Sequence, residues 1–150
     1  MKRHLSAVAF ALLSSSVLAE VQVQEPWVRA TVPSQKVTGA FMQLTSPHDV
    51  KLVEARSPVA GRVELHEMAM ERDVMKMRQV PAIALAAGKP VSLAPGGFHM
   101  MLFDLKQAVN AGDAVPLTLV FEGRDGSRES VEVKAAVRPL GASAGQHHPH

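Results

Sequence analysis

Residues 94–105, APGGFHMMLFDL, combine a turn and a strand in a form that recurs along this chain. The Pro-Gly-Gly sequence at 95–97 is typical of a turn, and the apolar segment after it is typical of a strand. Side chains of a strand alternate between its two faces. Met100 would therefore face a core, while His99 and Met101 would share the opposite face.

Short segments of the same kind are found along most of the chain. Their apolar and polar residues alternate, and Gly, Pro, Asp or Ser bounds them. The predicted strands are 21–24, 27–30, 40–45, 51–55, 62–66, a return strand that carries Met75 and Met77, 91–93, 98–105, 116–121 and 130–137, with a hairpin turn at 123–126. Helical periodicity is weak and is limited to single turns at 82–87 and 106–109. Several short strands at regular spacing predict a single all-β domain, an antiparallel sandwich or barrel.

The first 19 residues have the composition of a secretory signal peptide. Lys2 and Arg3 are basic, and Ala7 to Leu13 form an apolar core that is too short to span a bilayer. Ala19 is a small residue of the kind that signal peptidase accepts, so we expect cleavage near Ala19. A membrane anchor is the alternative, but serines interrupt the apolar run. We therefore expect export without stable membrane insertion.

Residues 20–138 are predicted to form one domain with its own hydrophobic core, followed by a flexible tail at 139–150. Without Lys2 and Arg3, 14 basic residues are balanced by 14 acidic residues. A near-neutral chain without a basic patch is a poor fit to nucleic-acid binding. The sequence contains no cysteine, so it offers neither a disulfide nor a thiolate ligand.

Histidine and methionine are concentrated in two places. The segment 64–78, ELHEMAMERDVMKMR, contains one histidine and four methionines, and the segment 96–103, GGFHMMLF, contains one histidine and two methionines. Imidazole and thioether without thiolate form a ligand set that suits Cu(I). Zinc, calcium and magnesium prefer harder donors or thiolate, so the two segments favour copper.

Each of these residues also has a structural interpretation, because a methionine in a strand usually fills the core. We prefer that interpretation for Met42, Met75 and Met100. For Met68 and Met70 the choice between core filler, flanking sulfur and ligand stays open. His66 and His99 are better ligand candidates, since each lies within two residues of a methionine.

The positions of four residues resemble a known family pattern. Ten residues separate His66 from Met77, twenty-one separate Met77 from His99, and one separates His99 from Met101. This spacing is similar to the His-x10-Met-x21-His-x-Met pattern of the periplasmic copper chaperone family called PCuAC. Four residues at fixed spacing make a more specific motif than one short pattern does.

The resemblance extends to the surrounding sequence. W-x-R at 27–29, G-A-F-M-x-L at 39–44 and P-G-G-x-H-x-M-L at 95–102 are similar to the framework of the PCuAC family. Together the matching positions cover most of the chain between 21 and 137. Phe103 departs from the pattern, because many relatives carry another methionine there.

The resemblance to that family implies a cupredoxin-like β-sandwich or barrel with one Cu(I) held by His66, Met77, His99 and Met101. It implies a periplasmic protein that delivers copper to an acceptor protein. The acceptor would be a cytochrome c oxidase subunit, for its copper centres, or another copper chaperone. We expect a monomer and no enzymatic activity.

The tail offers a second and weaker site. His147, His148 and His150 place three imidazoles in a short polar segment. Imidazole and backbone nitrogen suit Cu(II), so the tail would capture oxidised copper. The alternative is a solvated tail without a role.

Three other functions compete with copper delivery. A redox cupredoxin would need a cysteine thiolate, which this chain lacks. An enzyme would need a nucleophile motif or paired carboxylates, and neither stands out. A β-sandwich interaction module, or a copper-storage or resistance protein without dedicated delivery, stays as the alternative.

Overall fold

The computed structural model describes residues 21–140 of the 150-residue chain. This segment forms strands, turns and loops, and it contains no helix that could cross a membrane. The strands are β1 Gln22–Arg29, β2 Thr38–Thr45, β3 Val50–Arg56, β4 Ala60–Glu71, β5 Val74–Gln79, β6 Ile83–Leu85, β7 Val91–Leu93, β8 His99–Leu105, β9 Ala114–Gly123 and β10 Arg128–Arg138. The predicted signal peptide at 1–19 and the tail histidines His147, His148 and His150 lie outside the described residues.

All of these strands belong to one sheet. Its order is β5-β4-β8-β2-β1-β10-β9-β3-β6, and β7 pairs with β2 beside β8. One side of β2 pairs with β1, and the other side is divided between β8 at 38–40 and β7 at 42–44. At the end of the sheet, β4 lies between β8 and the edge strand β5.

The sheet folds over on itself, because one apolar core contains residues from both of its halves. Leu65 on β4 and Leu102 on β8 belong to the same buried cluster as Leu52 on β3 and Phe121 on β9. The predicted all-β sandwich or barrel is confirmed. Its strand pairs are antiparallel except for β1 and β10, which run parallel.

A close packing of aromatic rings lies where β1 meets β2. The rings of Trp27 and Phe41 lie with centroids 4.6 Å apart, and both residues are buried. A Cβ atom at Gly39 would lie only 2.8 Å from the Cζ atom of Phe41. Glycine at position 39 therefore leaves room for the Phe41 ring on this face of β2.

The structure differs from the sequence prediction in three local places. The two strands predicted at 21–24 and 27–30 form one strand, β1, because a bulge between Gln24 and Trp27 absorbs the irregular Glu25 (φ 49°) and Pro26. The helical turn predicted at 82–87 is wrong, since the short strand β6 pairs there with β3. The helical turn predicted at 106–109 is also wrong, because that segment forms a bend.

Leu102 provides a test of the core. Its side chain is fully buried between β2 and β4, so Leu102→Ala is expected to lower the free energy of unfolding by about 2–5 kcal/mol. The matched control is Leu140→Ala, because Leu140 is 54% exposed and its truncation is expected to cost less than about 0.5 kcal/mol. Equal losses of stability in the two variants, measured by urea unfolding, would contradict this packing.

Candidate metal centre

Four of the histidine and methionine side chains meet on one face of the strands β5, β4 and β8. His66 on β4 lies opposite His99 on β8, and Met68 on β4 lies opposite Met77 on β5. Opposite residues of antiparallel strands share a face, and so do residues two apart on one strand. Both histidines and the two methionines therefore lie on the same side of the sheet.

His99 has one ring nitrogen occupied and one free. Its Nδ1 atom donates a hydrogen bond to the backbone carbonyl of Gly97 at 2.9 Å. Nδ1 therefore carries the proton, and Nε2 presents its lone pair. The Nε2 atom lies 3.1 Å from the Sδ atom of Met77. When the ring is neutral, two lone-pair donors, the imidazole nitrogen and the thioether sulfur, thus face each other without a proton between them.

His66 has the same division of roles with the two ring nitrogens exchanged. Its Nε2 atom donates to the carboxylate of Glu64, with Nε2 and Oε2 2.9 Å apart. Its Nδ1 atom is buried and has no hydrogen-bond partner. A carboxylate or backbone carbonyl on the second ring nitrogen is the usual arrangement of a metal-binding histidine, because it fixes the tautomer and the ring orientation.

The Glu64 carboxylate is held in its charged form. Its hydrogen bond from His66 lowers the pKa of Glu64 below the ordinary value, and Arg62 contributes in the same direction. Arg62 approaches one oxygen of Glu64 at 3.4 Å and also contacts Asp104 at 2.9 Å. Glu64 is therefore an acceptor that is already occupied by His66 and Arg62.

The fourth predicted residue, Met101, lies on the same face. It lies opposite Glu64 on β4 and opposite Gly39 on β2. A cavity of about 290 Å³ opens over this face, and Met68, Met77 and Met101 line it together with His99. His66 does not line the cavity.

Burial divides the candidate ligands into two groups. His66 and His99 are 7% and 6% exposed, whereas Met77 is 48% exposed. Aromatic rings surround the histidines: the His66 and His99 ring centroids lie 5.8 Å apart, Phe41 lies 6.3 Å from His99 and Phe103 lies 5.9 Å from His66. The imidazoles thus lie in an apolar wall, and a thioether lies at the surface.

A larger cavity lies at the opposite end of the sheet, against β3, β6 and β9. Its volume is about 650 Å³, and its lining includes Asp49, Lys51, Glu122 and Arg124. No histidine and no methionine line it. It offers no soft donor atom, so the candidate metal centre is the smaller cavity.

The donor set fits a soft ion. Residues 21–140 contain no group of three or more His, Cys, Asp or Glu side chains that could hold a metal ion. A site of three or four ligands on this face must therefore use methionine sulfur. Two neutral imidazoles with thioethers suit Cu(I), whereas Zn²⁺, Ca²⁺ and Mg²⁺ prefer thiolate or oxygen donors.

The structure confirms two sequence predictions about the methionines and corrects a third. Met42 and Met100 are buried, so their predicted role as core residues is confirmed. The same prediction for Met75 is wrong, because Met75 is 46% exposed on the edge strand β5. Met68 lines the cavity, and Met70 is 64% exposed.

Two functional groups were missed by the sequence analysis. Glu64 lies two residues before His66 on the same strand face, and this spacing could have identified it as the partner of the imidazole. The backbone carbonyl of Gly97 could not have been identified, because no side chain marks it. The tail residues His147, His148 and His150 lie outside the described residues and stay a prediction.

Fold and site define an all-β, cupredoxin-like domain with a buried histidine pair beside a methionine-lined face. The family model described as "Putative lipoprotein LpqE-like" matches residues 21–137. The chain belongs to this LpqE-like family. It is 34% identical over 124 residues to "Uncharacterized protein RP573" of Rickettsia prowazekii (strain Madrid E), a match that covers 79% of this chain and 67% of that protein.

Two solved structures are similar to this fold. The copper-bound PCuAC domain from PmoF2 aligns with a TM-score of 0.65 at 26% identity, and the alignment covers 81% of this chain and 95% of that domain. The solution structure of Cu(I)-DR1885 from Deinococcus radiodurans aligns with a TM-score of 0.59 at 33% identity, with 85% of both chains covered. The resemblance to PCuAC thus appears among the solved structures, while the matching family model is LpqE-like.

The hydrogen bonds of the two histidines predict opposite tautomers in the metal-free protein. His66 is expected to carry its proton on Nε2 and His99 on Nδ1, because Glu64 and the Gly97 carbonyl accept those protons. Long-range ¹H–¹⁵N correlation spectra at a pH where both rings are neutral measure this directly. In Glu64→Ala, His66 loses its fixed tautomer while His99 keeps its own. The same tautomer for both histidines in the unaltered protein would contradict the geometry.

Proposed function

We propose that this protein binds Cu(I) through His66, Met77, His99 and Met101 and delivers it to acceptor proteins. The observation that carries the proposal is the 3.1 Å approach of His99 Nε2 to Met77 Sδ. The His99 proton lies on the other nitrogen, where Gly97 accepts it. The approach therefore leaves two unprotonated donors facing each other, as a shared metal ion requires.

The second imidazole supports a site of higher coordination number. The buried Nδ1 atom of His66 has no partner, and an unpartnered buried polar atom costs free energy. A metal bond to Nδ1 would remove that cost. Met101 lines the same cavity as Met77 and His99, and with His66 it would complete a set of two nitrogens and two sulfurs.

The similar proteins support copper as the ion. One similar structure is named as a copper-bound PCuAC domain, and another as the Cu(I) form of DR1885. The four residues at the PCuAC spacing in this chain lie on one face of its sheet. We therefore extend copper binding from those proteins to this one.

The division of burial supports delivery rather than permanent storage of the ion. The histidines are buried and would be the stronger and less accessible donors. Met77 is half exposed on an edge strand and would be the donor that a partner replaces first. Neutral thioether ligands release an ion without taking up a proton, so the first step of exchange, in which Met77 leaves, requires no acid.

We propose the place of action from the predicted signal peptide and the partner from the resemblance to the PCuAC family. The predicted signal peptide at 1–19, with cleavage near Ala19, would export the protein to the periplasm. The acceptor would be a cytochrome c oxidase subunit, for its copper centres, or another copper chaperone. The tail histidines His147, His148 and His150 would bind Cu(II) as an auxiliary site. We propose no enzymatic activity.

An anaerobic titration with a chromogenic Cu(I) chelator tests the site. The mature protein is expected to bind one Cu(I) tightly. Loss of the Glu64 partner in Glu64→Ala is expected to weaken binding about 10–100-fold. His99→Ala removes a ligand and is expected to weaken binding further.

Two controls limit the interpretation of that titration. His48→Ala removes a histidine from a loop outside the cavity and is expected to leave the affinity unchanged. A chain that ends at Leu140 is expected to keep the tight equivalent. Equal affinity of His99→Ala and the unaltered protein would contradict the proposed site.

Delivery is tested by mixing the Cu(I)-loaded protein with the copper-free, soluble copper domain of a cytochrome c oxidase subunit. Copper is expected to reach the oxidase domain faster from the loaded protein than from a Cu(I)–chelator complex without the protein. The reason is that exchange occurs within a complex of the two proteins. Transfer is followed by the absorption of the acceptor centre after oxidation. Transfer at the rate of simple dissociation would favour a storage protein over a chaperone.

A further inference from the structure

The hairpin formed by β4 and β5 carries a second group of methionines beyond the candidate metal centre. Met70 lies opposite Met75, and Met68 lies opposite Met77. Directly opposite residues of antiparallel strands have Cβ atoms about 4.5–5.5 Å apart and share a face. Met68, Met70 and Met75 therefore form a continuous thioether surface that begins beside Met77 and ends at the hairpin turn.

The register that aligns these methionines is fixed by the turn. Only Arg72 and Asp73 separate the two strands, and both have positive φ angles of 49° and 64°. Two residues with positive φ form the type of turn whose twist matches a two-residue hairpin. The turn fixes Glu71 opposite Val74, and this pairing in turn places Met70 opposite Met75.

The exposure of these side chains is unusual for apolar residues. Met70 is 64% exposed and Met75 is 46% exposed, and neither belongs to the apolar core. Met42 and Met100 are buried in that core, so the chain also uses methionine in the ordinary way. The exposed pair thus presents two methionine side chains to solvent at no gain in core packing.

Charged residues of the hairpin lie on its other face. Glu67 pairs with Arg78 at 2.6 Å, and Glu71 approaches Lys76 at 3.7 Å. These four residues alternate with the methionines, so they point away from the thioether surface. At the strand positions 68, 70, 75 and 77 this face therefore presents thioether sulfur and no carboxylate or amine, a donor set that favours a soft monovalent ion over a hard divalent ion.

We propose that Met68, Met70 and Met75 form a second site for Cu(I), outside the His/Met centre. Three thioethers can surround a soft d¹⁰ ion, and the flexible methionine side chain allows the sulfurs to converge. Without an imidazole, this site binds more weakly than the His/Met centre. Met68 also lines the cavity that contains Met77 and His99, so the two sites are adjacent. The proposal rests on the proposed function for the identity of the ion.

The experiment uses the full mature protein labelled with ¹³C at its methionine methyl groups and titrated with Ag(I), a redox-stable soft d¹⁰ probe. The first equivalent is expected to shift the methyl signals of Met77 and Met101. The second equivalent is expected to shift those of Met68, Met70 and Met75. Zn²⁺ at the same concentration is expected to shift none of these three signals.

The double variant Met70→Leu/Met75→Leu isolates the second site. It is expected to keep the first equivalent and to bind the second at least about 10-fold more weakly, because two of three donors are lost. Lys76→Gln is the matched control, since it alters the opposite face of the same hairpin and is expected to leave both equivalents unchanged.

The outcomes separate this proposal from the proposed function. A second equivalent that survives in the double variant, or the absence of a second equivalent in the unaltered protein, overturns the second site. If His99→Ala loses the first Ag(I) equivalent and keeps the second, the result supports two independent sites. Absence of the first equivalent, with shifts confined to the hairpin methionines, rejects the proposed His/Met centre and keeps the thioether site.

Discussion

The pairing of β4 with β8 is the constraint on which the candidate metal centre depends. It places His66 opposite His99 and at the same time places the neighbouring residues Leu65 and Met100 opposite each other in the core. A slip of one residue by either strand would exchange the two faces of that strand, so its histidine would turn inward and its core residue outward. Burial of Leu65 and Met100 therefore holds the imidazoles in register, although neither side chain reaches the centre.

The side chains of the candidate metal centre differ in how firmly they are held in place. Gly97 and Glu64 fix the orientations of the two imidazoles through hydrogen bonds of 2.9 Å. The thioether of Met77 reaches the same place from a strand on the far side of β4. The nitrogen donors are thus preorganised by their surroundings, whereas a flexible side chain supplies the sulfur. Such a difference suits a site in which one ligand must leave before the others.

Much of this architecture could be predicted from residue alternation, and the exceptions have physical causes. The pattern at 94–105 gave the correct faces for His99 and Met100, since a half-buried strand alternates with a period of two. The bulge at Glu25 was missed because Pro26 is typical of a strand boundary, whereas β1 pairs with β2 on both sides of it. Met75 was assigned to the core because a sequence does not reveal that β5 is an edge strand without a covering layer. The Gly97 carbonyl was missed because its role depends on backbone direction alone.

The edge position of β5 has a consequence for the motions of the protein. All six residues of Val74–Gln79 are exposed, and the strand pairs only with β4. Detaching it breaks one ladder of backbone hydrogen bonds and removes no residue from the apolar core. Such an opening has a lower free energy than global unfolding, so amide hydrogens of β5 should exchange well before those of β8. A ligand on β5 is therefore carried by an edge strand that opens at a low free-energy cost, while the histidines lie on strands that are paired on both sides.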